Sequence, residues 1–390
     1  MPLAALIAAA ALASSGAPHL DTHLDTPIHF GRAGWSVMQR HTYESDLTQV
    51  DWPRMTAGGL DGGFFVIYTA QGPLTPQGYR AARDLAFRRE AHIREMVAAN
   101  PAHFALAFTA ADAARIKASG RKIVYQSIEN SYPLGDDPSL LQTFYALGVR
   151  LAGPVHFQNN QFADSATDTP RWHGLSPLGR QWVAEANRLG IVIDASHASD
   201  AVFDQLLETS KTPIILSHSG PRAVFDHPRN IDDARLKKLA AAGGVIQINS
   251  VYLTARPPAN AERDRLGDAL EAIEDMTPAQ QKALIAETAA FNRRNPVKRA
   301  TFEMFMASLE HALKVAGPDH VGIGADWDGG GGVTGMEDVA DLKKITTRLK
   351  HDGWSQADIA KIWGGNVLRV LAAAETCAAS LKKAPSPQTQ

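Results

Sequence analysis

His23 and Asp25 stand two positions apart in the stretch HLDTHLDTPIHF, residues 19–30. On a β-strand, residues i and i+2 share a face, so this imidazole and this carboxylate can reach one point. A metal ion is the chemistry that combination suits. Alone, the pair would be an ordinary polar strand end. Five further residues of the same chemical kinds, however, each stand in or just after a β-branched or aliphatic run. They are Glu129 after KIVYQSI, His156 after VRLAGPV, His197 after GIVIDAS, His218 in PIILSHS and Asp326 after VGIGA. An unpaired carboxylate at the end of an apolar run is costly to bury, so Glu129 in particular calls for a partner. Four of the 14 histidines take part, so histidine abundance does not account for the pattern. His92, His103, His311 and His351 fall in helical stretches or their loops. His29 and His41 stand near the same rim, at no spacing that argues for a ligand role.

The chain has one cysteine, Cys377, which excludes an internal disulfide and a cysteine-based zinc site. Histidine and carboxylate ligands suit zinc in a catalytic role, with manganese or another divalent ion as the alternative. Five ligands, with a glutamate placed to bridge, suffice for two ions about 3.5 Å apart. The nucleophile such a pair provides is a bridging water that is hydroxide near neutral pH. A nearby imidazole can steady the tetrahedral oxyanion, and a carboxylate at the rim can protonate a departing amine. Metal-assisted hydrolysis of an amide is the resulting expectation.

The elements that must position these groups alternate. Eight strand-like runs begin at HLDTHLD, GGFFVIYTA, KIVYQSIEN, VRLAGPVHF, GIVIDASHA, TPIILSHSG, GGVIQINSV and HVGIGADWDG. Amphipathic stretches lie between them. In SPLGRQWVAEANRL, Ser176 is a predicted N-cap with Pro177 at the first helical position, and Gly190 closes the helix. TFEMFMASLEHALKVAG, EDVADLKKITTRL and SQADIAKIWGGNVLRVLAAA read as further helices. Eight strands alternating with helices predict an α/β fold, a (β/α)8 TIM-type barrel whose ligands gather at the strand C-termini. No glycine-rich dinucleotide or P-loop fingerprint follows the first strand.

The polar segment 255–299 reads as a helical insertion after the seventh of these strands, within one hydrolase domain spanning 18–378. Residues 379–390 read as a disordered tail. The opening MPLAALIAAAALASSGAP resembles a signal peptide over residues 1–17, without a basic n-region. It predicts a periplasmic or secreted protein, with a cytoplasmic one as the alternative, and its apolar run is too short for stable membrane insertion. Lys plus Arg (39) nearly balances Asp plus Glu (41), so no basic field invites nucleic acid. A homodimer is left open.

The runs LSPLGRQWVAEANRLGIVIDASHAS, PIILSHS, HPRNIDD, VGIGADWDG and GGNVLRV resemble the membrane (renal) dipeptidase family of zinc peptidases, within the metal-dependent hydrolase superfamily. The resemblance extends from about Asp21 to Ala373. It implies a dipeptidase with two zinc ions per subunit: His23 and Asp25 on one, His197 and His218 on the other, Glu129 bridging. It further implies that His156 contacts the scissile carbonyl, that Arg229 receives the C-terminal carboxylate of a small peptide, and that Asp326 handles the proton at the leaving nitrogen. A D-residue at the C-terminal position is among the substrates it implies. The chain departs from the family pattern at Leu24 and Thr26, in the loop ENSYPLGDD and in LAGPVH. These changes predict a reshaped pocket. One alternative is therefore the same site acting on a tailored peptide-like metabolite; another is a metal-binding relative that does not catalyse.

Overall fold

The computed structural model describes residues 16–255 and 257–383. Most of the expected leader, and residues 384–390 of the expected tail, lie outside the described residues. The described strands are β1 (Leu20–Leu24), β2 (Gly62–Ile67), β3 (Phe104–Leu106), β4 (Lys122–Ile128), β5 (Val149–Ala152), β6 (Val192–Ile193), β7 (Ile215–Ser219), β8 (Val245–Ile248) and β9 (Val321–Ile323). Every pairing between them is parallel. One curled sheet runs β1-β2-β4-β5-β6 and a second runs β7-β8-β9. Single parallel bridges, Asp194 to Ile215 and Leu24 to Trp327, link the two sheets on either side.

These strands are buried nearly throughout, as parallel strands covered on both faces must be. The period of two sorts their side chains. Val124 and Ile128 of β4 join the large core shared with the flanking helices. Ile123 and Tyr125, on the alternate face, join a second core with Leu20, Leu151, Val192 and Ile215.

Helices α1 (Pro76–Ala99), α2 (Pro177–Leu189), α3 (Ala261–Glu271), α4 (Pro278–Arg294), α5 (Phe302–Ala316) and α6 (Asn366–Lys383) include the longest. The caps of α2 are those its sequence announces. Ser176 accepts from Gly179 N, and Gly190 ends the helix at φ 83°, a left-handed conformation that glycine adopts without strain. Thr301 caps α5 in the same way. Residues 255–299 carry α3 and α4, capped by Asn260 and by a Thr277–Gln280 capping box. Leu266, Ile273, Leu284, Ile285 and Phe291 of this segment form a small core of their own, completed by Leu47 from the loop after β1.

Three expectations need correction. β3 is a ninth strand that the eight runs omit. Its three residues, FAL, are too few for a pattern, and it pairs only with the first half of β4. Four of the expected strands are short: GIVIDASHA yields two strand residues, HVGIGADWDG three, and VRLAGPVHF and GGVIQINSV four each. Finally, α6 continues to Lys383, so residues 379–383 are helical where a disordered tail was expected.

Candidate metal centre

The loops after the strands, and the strand ends themselves, bring the expected ligands to one buried point. Around Glu129 Oε1 stand four imidazole nitrogens: His197 Nε2 at 3.0 Å, His156 Nε2 at 3.4 Å, His218 Nε2 at 3.5 Å and His23 Nε2 at 3.6 Å. Asp25 Oδ2 lies 3.4 Å from His23 Nε2. Ligand-type atoms fall into three buried, overlapping groups: His23–Glu129–His218, Glu129–His156–His197 and His23–Asp25–Asp326. Sequence spacing foretold this gathering, and all seven residues are in it.

The donor chemistry fits a bound metal. His197 Nε2 and His218 Nε2 face each other at 2.9 Å. Burial pushes both imidazoles well below the usual histidine range, and the positive charge of Arg229 adds to it. Neutral imidazole is the form in which histidine serves as a metal ligand. Asp25 Oδ1 and His23 Nε2 are buried and without hydrogen-bond partners. Buried polar atoms in that state are rare unless something unseen satisfies them, and nitrogen and carboxylate donors without sulfur suit zinc.

Electrostatics in the cation-free cluster point the same way. Burial alone would raise Glu129, but His156 and His23 overturn it and hold the carboxyl well below its usual range. Burial opposes charge on His23, yet Asp25 and Glu129 push it up to about 10. An ion would take the place of that proton.

The model of the membrane dipeptidase family (peptidase family M19) matches residues 8–385. The chain belongs to the membrane dipeptidase family. It is 30% identical over 372 residues to the dipeptidase tcpJ of Claviceps purpurea, covering 93% of this chain and 78% of that protein. Among solved structures it is similar to the probable dipeptidase PvdM from Pseudomonas aeruginosa, with 31% identity, a TM-score of 0.79, and coverage of 96% of this chain and 98% of that one. A metallopeptidase from Rhodobacter sphaeroides shares the fold, with 23% identity, a TM-score of 0.73, and coverage of 92% of this chain and 99% of that one. The enzyme is thus a metal-dependent peptide-bond hydrolase built on the fold those proteins share.

Behind the candidate ligands of this dipeptidase stands a layer that spacing alone did not reveal. Ser217 Oγ contacts His218 Nδ1 at 2.8 Å and His23 Nδ1 at 3.4 Å, and it donates to Asp194 Oδ2 at 2.5 Å. Asp194 Oδ1 in turn accepts from Ser196 N, Ser196 Oγ and Ser217 N. One hydroxyl thus meets both Nδ1 atoms, which leaves both Nε2 atoms turned to the centre, as metal-ligating histidines require. Asp21 accepts from His23 N at 2.9 Å and Ala325 N at 3.1 Å, tying the first strand to the last. The signal was present in the two Asp-x-Ser and Ser-His neighbours, DASH and LSHS, read only for their histidines.

Arg229, the expected receiver of a substrate carboxylate, is 2% exposed. It donates to His218 O at 3.2 Å and Ser219 Oγ at 3.4 Å, and its guanidinium lies 4.9 Å from the Tyr252 ring centre. Its Nε is buried without a partner. No carboxylate lies within ion-pair distance of it among the described residues.

Asp326 takes φ 66°, and burial, with Asp25 and Glu129 adding, pushes its carboxyl up to about 8 against the pull of His23. Beside it, Gly329 comes so close that a Cβ would stand 2.0 Å from Asp25 Oδ2 and 2.3 Å from Asp326 Oδ1. Only glycine fits there.

Tyr132, in the loop that follows Glu129, turns toward Tyr79 and Pro73. It is fully buried, packs edge-on against Tyr79, and donates to Pro73 O at 2.8 Å. The aromatic rings beside His156 are Phe157, 4.0 Å between centroids, and Tyr68, edge-on at 5.0 Å.

Proposed function

We propose that the enzyme holds two zinc ions and hydrolyses dipeptides, including those with a D-residue at the C-terminal position. His23 and Asp25 would hold one ion, His197 and His218 the other, and Glu129 both. When bound, zinc supplies the Lewis acidity that ionises water near neutral pH and polarises a peptide carbonyl. The observation that carries the reading is Glu129 Oε1 surrounded by four imidazole nitrogens at 3.0–3.6 Å. One carboxylate oxygen amid four potential ligands is the centre of a shared site.

The chain's own groups supply the remaining chemistry. Arg229, buried and without an acidic partner, receives the substrate's terminal carboxylate through its planar fork. That contact fixes the dipeptide's C-terminal end and leaves its scissile carbonyl to face His156. A proton on His156 Nε2 then steadies the oxygen of the tetrahedral intermediate. Asp326, whose buried carboxyl retains a proton toward neutral pH, gives it to the leaving nitrogen. In this reading the two linked sheets are a closed (β/α)8 barrel. Residues 255–299 are then an excursion from it, set beside the catalytic rim.

The test is a panel of dipeptides, among them L-Ala-L-Ala and L-Ala-D-Ala, with zinc-reconstituted protein and a count of bound zinc by elemental analysis. Two equivalents of zinc and turnover of at least one dipeptide are expected. A single equivalent would sink the two-ion assignment. Two equivalents with no turnover of any dipeptide would leave a tailored peptide-like substrate as the reading, and Asp326→Asn, which a non-catalytic binder would tolerate, separates that case from loss of catalysis.

A further inference from the structure

A cavity of about 620 Å3 lies between α3, α4 and the loop that follows β1. That is the size of a site for a drug-sized molecule. Its lining is mainly apolar, with Leu266 of α3, Ile285 and Phe291 of α4, and Leu47 of the loop. Two residues of the wall, His29 and Thr288, are each 6% exposed, and His29 Nε2 and Thr288 Oγ1 have no hydrogen-bond partner. A closed apolar core would not retain such atoms without cost; a ligand with a polar group would satisfy them.

Charge at the cavity is in positive excess, with Arg263, Arg293 and Arg299 set against the acids Glu44 and Asp328. Arg263 lies over the Phe291 ring at 5.6 Å and donates to Pro258 O, while Arg299 lies over the Tyr43 ring at 4.7 Å. Arg293 donates to Glu44 O. None of these three lining arginines has a carboxylate within ion-pair distance among the described residues. By contrast, Arg265, on the outer side of the same helix pair, is bonded to both Glu262 and Glu287. The one buried acid of the wall, Asp328, is already engaged, accepting from Thr26 Oγ1 and Gln49 N.

We infer that this cavity binds a small molecule with an apolar, ring-sized body and a single carboxylate. The body fills the space between Leu266, Ile285 and Phe291, and the carboxylate meets Arg263 and Arg299. Thr288 Oγ1 and His29 Nε2 bond whatever polar atom the body carries. Gly330 and Gly331 form part of the wall, whereas Gly329, next to them, touches Asp25 and Asp326. The occupant therefore sits behind the loop that holds Asp326. That chemistry has two sources: a free carboxylic acid, or an apolar acid-bearing extension of the enzyme's own substrate. The binding claim does not depend on how many zinc ions the centre holds.

The test titrates zinc-loaded, full-length protein with 8-anilinonaphthalene-1-sulfonate and displaces it with 4-phenylbutyrate or with 4-phenylbutylamine. One saturable site is expected, from which the carboxylate displaces the probe at least roughly tenfold better than the amine, the scale of a charge-assisted contact. The Arg263→Gln/Arg299→Gln double variant should weaken phenylbutyrate by a similar factor and leave turnover of L-Ala-L-Ala unchanged. Ile285→Trp should fill the cavity and abolish probe binding. Phenylbutyrate that raises KM for the dipeptide and spares kcat marks the cavity as an extension of the substrate pocket. Phenylbutyrate that binds without raising KM marks a separate molecule. No saturable probe, equal displacement by the amine, or binding that survives both variants yet vanishes on zinc removal would each overturn the inference.

Discussion

The metal cluster and the arginine-rimmed cavity occupy two faces of one loop, Asp326–Gly331, and they are built by opposite means. At the cluster, Ser217 stands behind the imidazoles of His23 and His218, Asp194 behind Ser217 and Asp21 behind the backbone of His23, while His197 Nδ1 and Asp25 Oδ1 have no hydrogen-bond partner. At the cavity, polar atoms stand unbacked, and the wall is a helix pair with its own small core. The first region fixes geometry before any ligand arrives, as a site for one reaction must. The second leaves room to accommodate, which suits recognition of shape and charge.

The helix pair is nonetheless anchored, and at few points. Arg89 of α1 bonds Glu274, in the turn after α3, at 2.8 Å, with side-chain exposures of 2% and 3%. The same guanidinium donates to Tyr68 O, and the Tyr68 ring lies on His156. A buried ion pair thus joins the cavity's helices to the catalytic rim.

Four experiments sharpen or break this contrast. Glu129→Gln removes the group common to the cluster, and kcat/KM for dipeptides should fall by roughly three orders of magnitude or more, the scale of losing an essential catalytic group. Bound zinc, measured in parallel, should drop; full activity in the variant would end the assignment. Glu274→Ala leaves the Arg89 charge buried and unpaired, a loss of about 3 kcal/mol. Hydrogen exchange should show it in α3 and α4 while zinc content stays at the wild-type value; protection unchanged in α3 and α4 would mean that the anchor is elsewhere. Asp194→Asn disturbs only the layer behind the ligands, so zinc affinity should weaken by about 10- to 100-fold, read by competition with a chelator. Arg229→Lys keeps charge and loses the fork. It should raise KM by roughly tenfold with a smaller change in kcat, and a dipeptide amide, lacking the carboxylate, should not discriminate between variant and wild type.

What sequence reveals here follows from how local each signal is. His23, Asp25, Glu129, His156, His197, His218 and Asp326 could be picked out because each ends, or nearly ends, an apolar run, and parallel strands place such ends on one rim. The caps of α2 were equally local. Asp194 and Ser217 were missed because an Asp or Ser at a strand end reads as ordinary polarity until its partner is known. The orientation of Tyr132 was equally hidden: position after Glu129 says nothing about which way a ring turns, and its partner Pro73 is 59 residues away. The docking of Arg89 on Glu274 across 185 residues, and of Leu47 on Leu266, carries no pattern in either segment alone. The cavity inherits that silence.

The pairing of the first strand with the last also bears on how the protein is made. Asp25 N bonds Trp327 O at 2.9 Å, and Asp21 receives Ala325 N from 304 residues downstream. During synthesis, His23 and Asp25 leave the ribosome early, long before Asp326 exists. Such distant pairing is slow to form and arrives late in folding. A nascent chain can therefore carry every proposed metal ligand once His218 is made and still lack Asp326, the proposed proton donor, until the polypeptide is nearly finished. Hydrolytic competence is in this way an end-of-line property, withheld from every fragment that stops before β9.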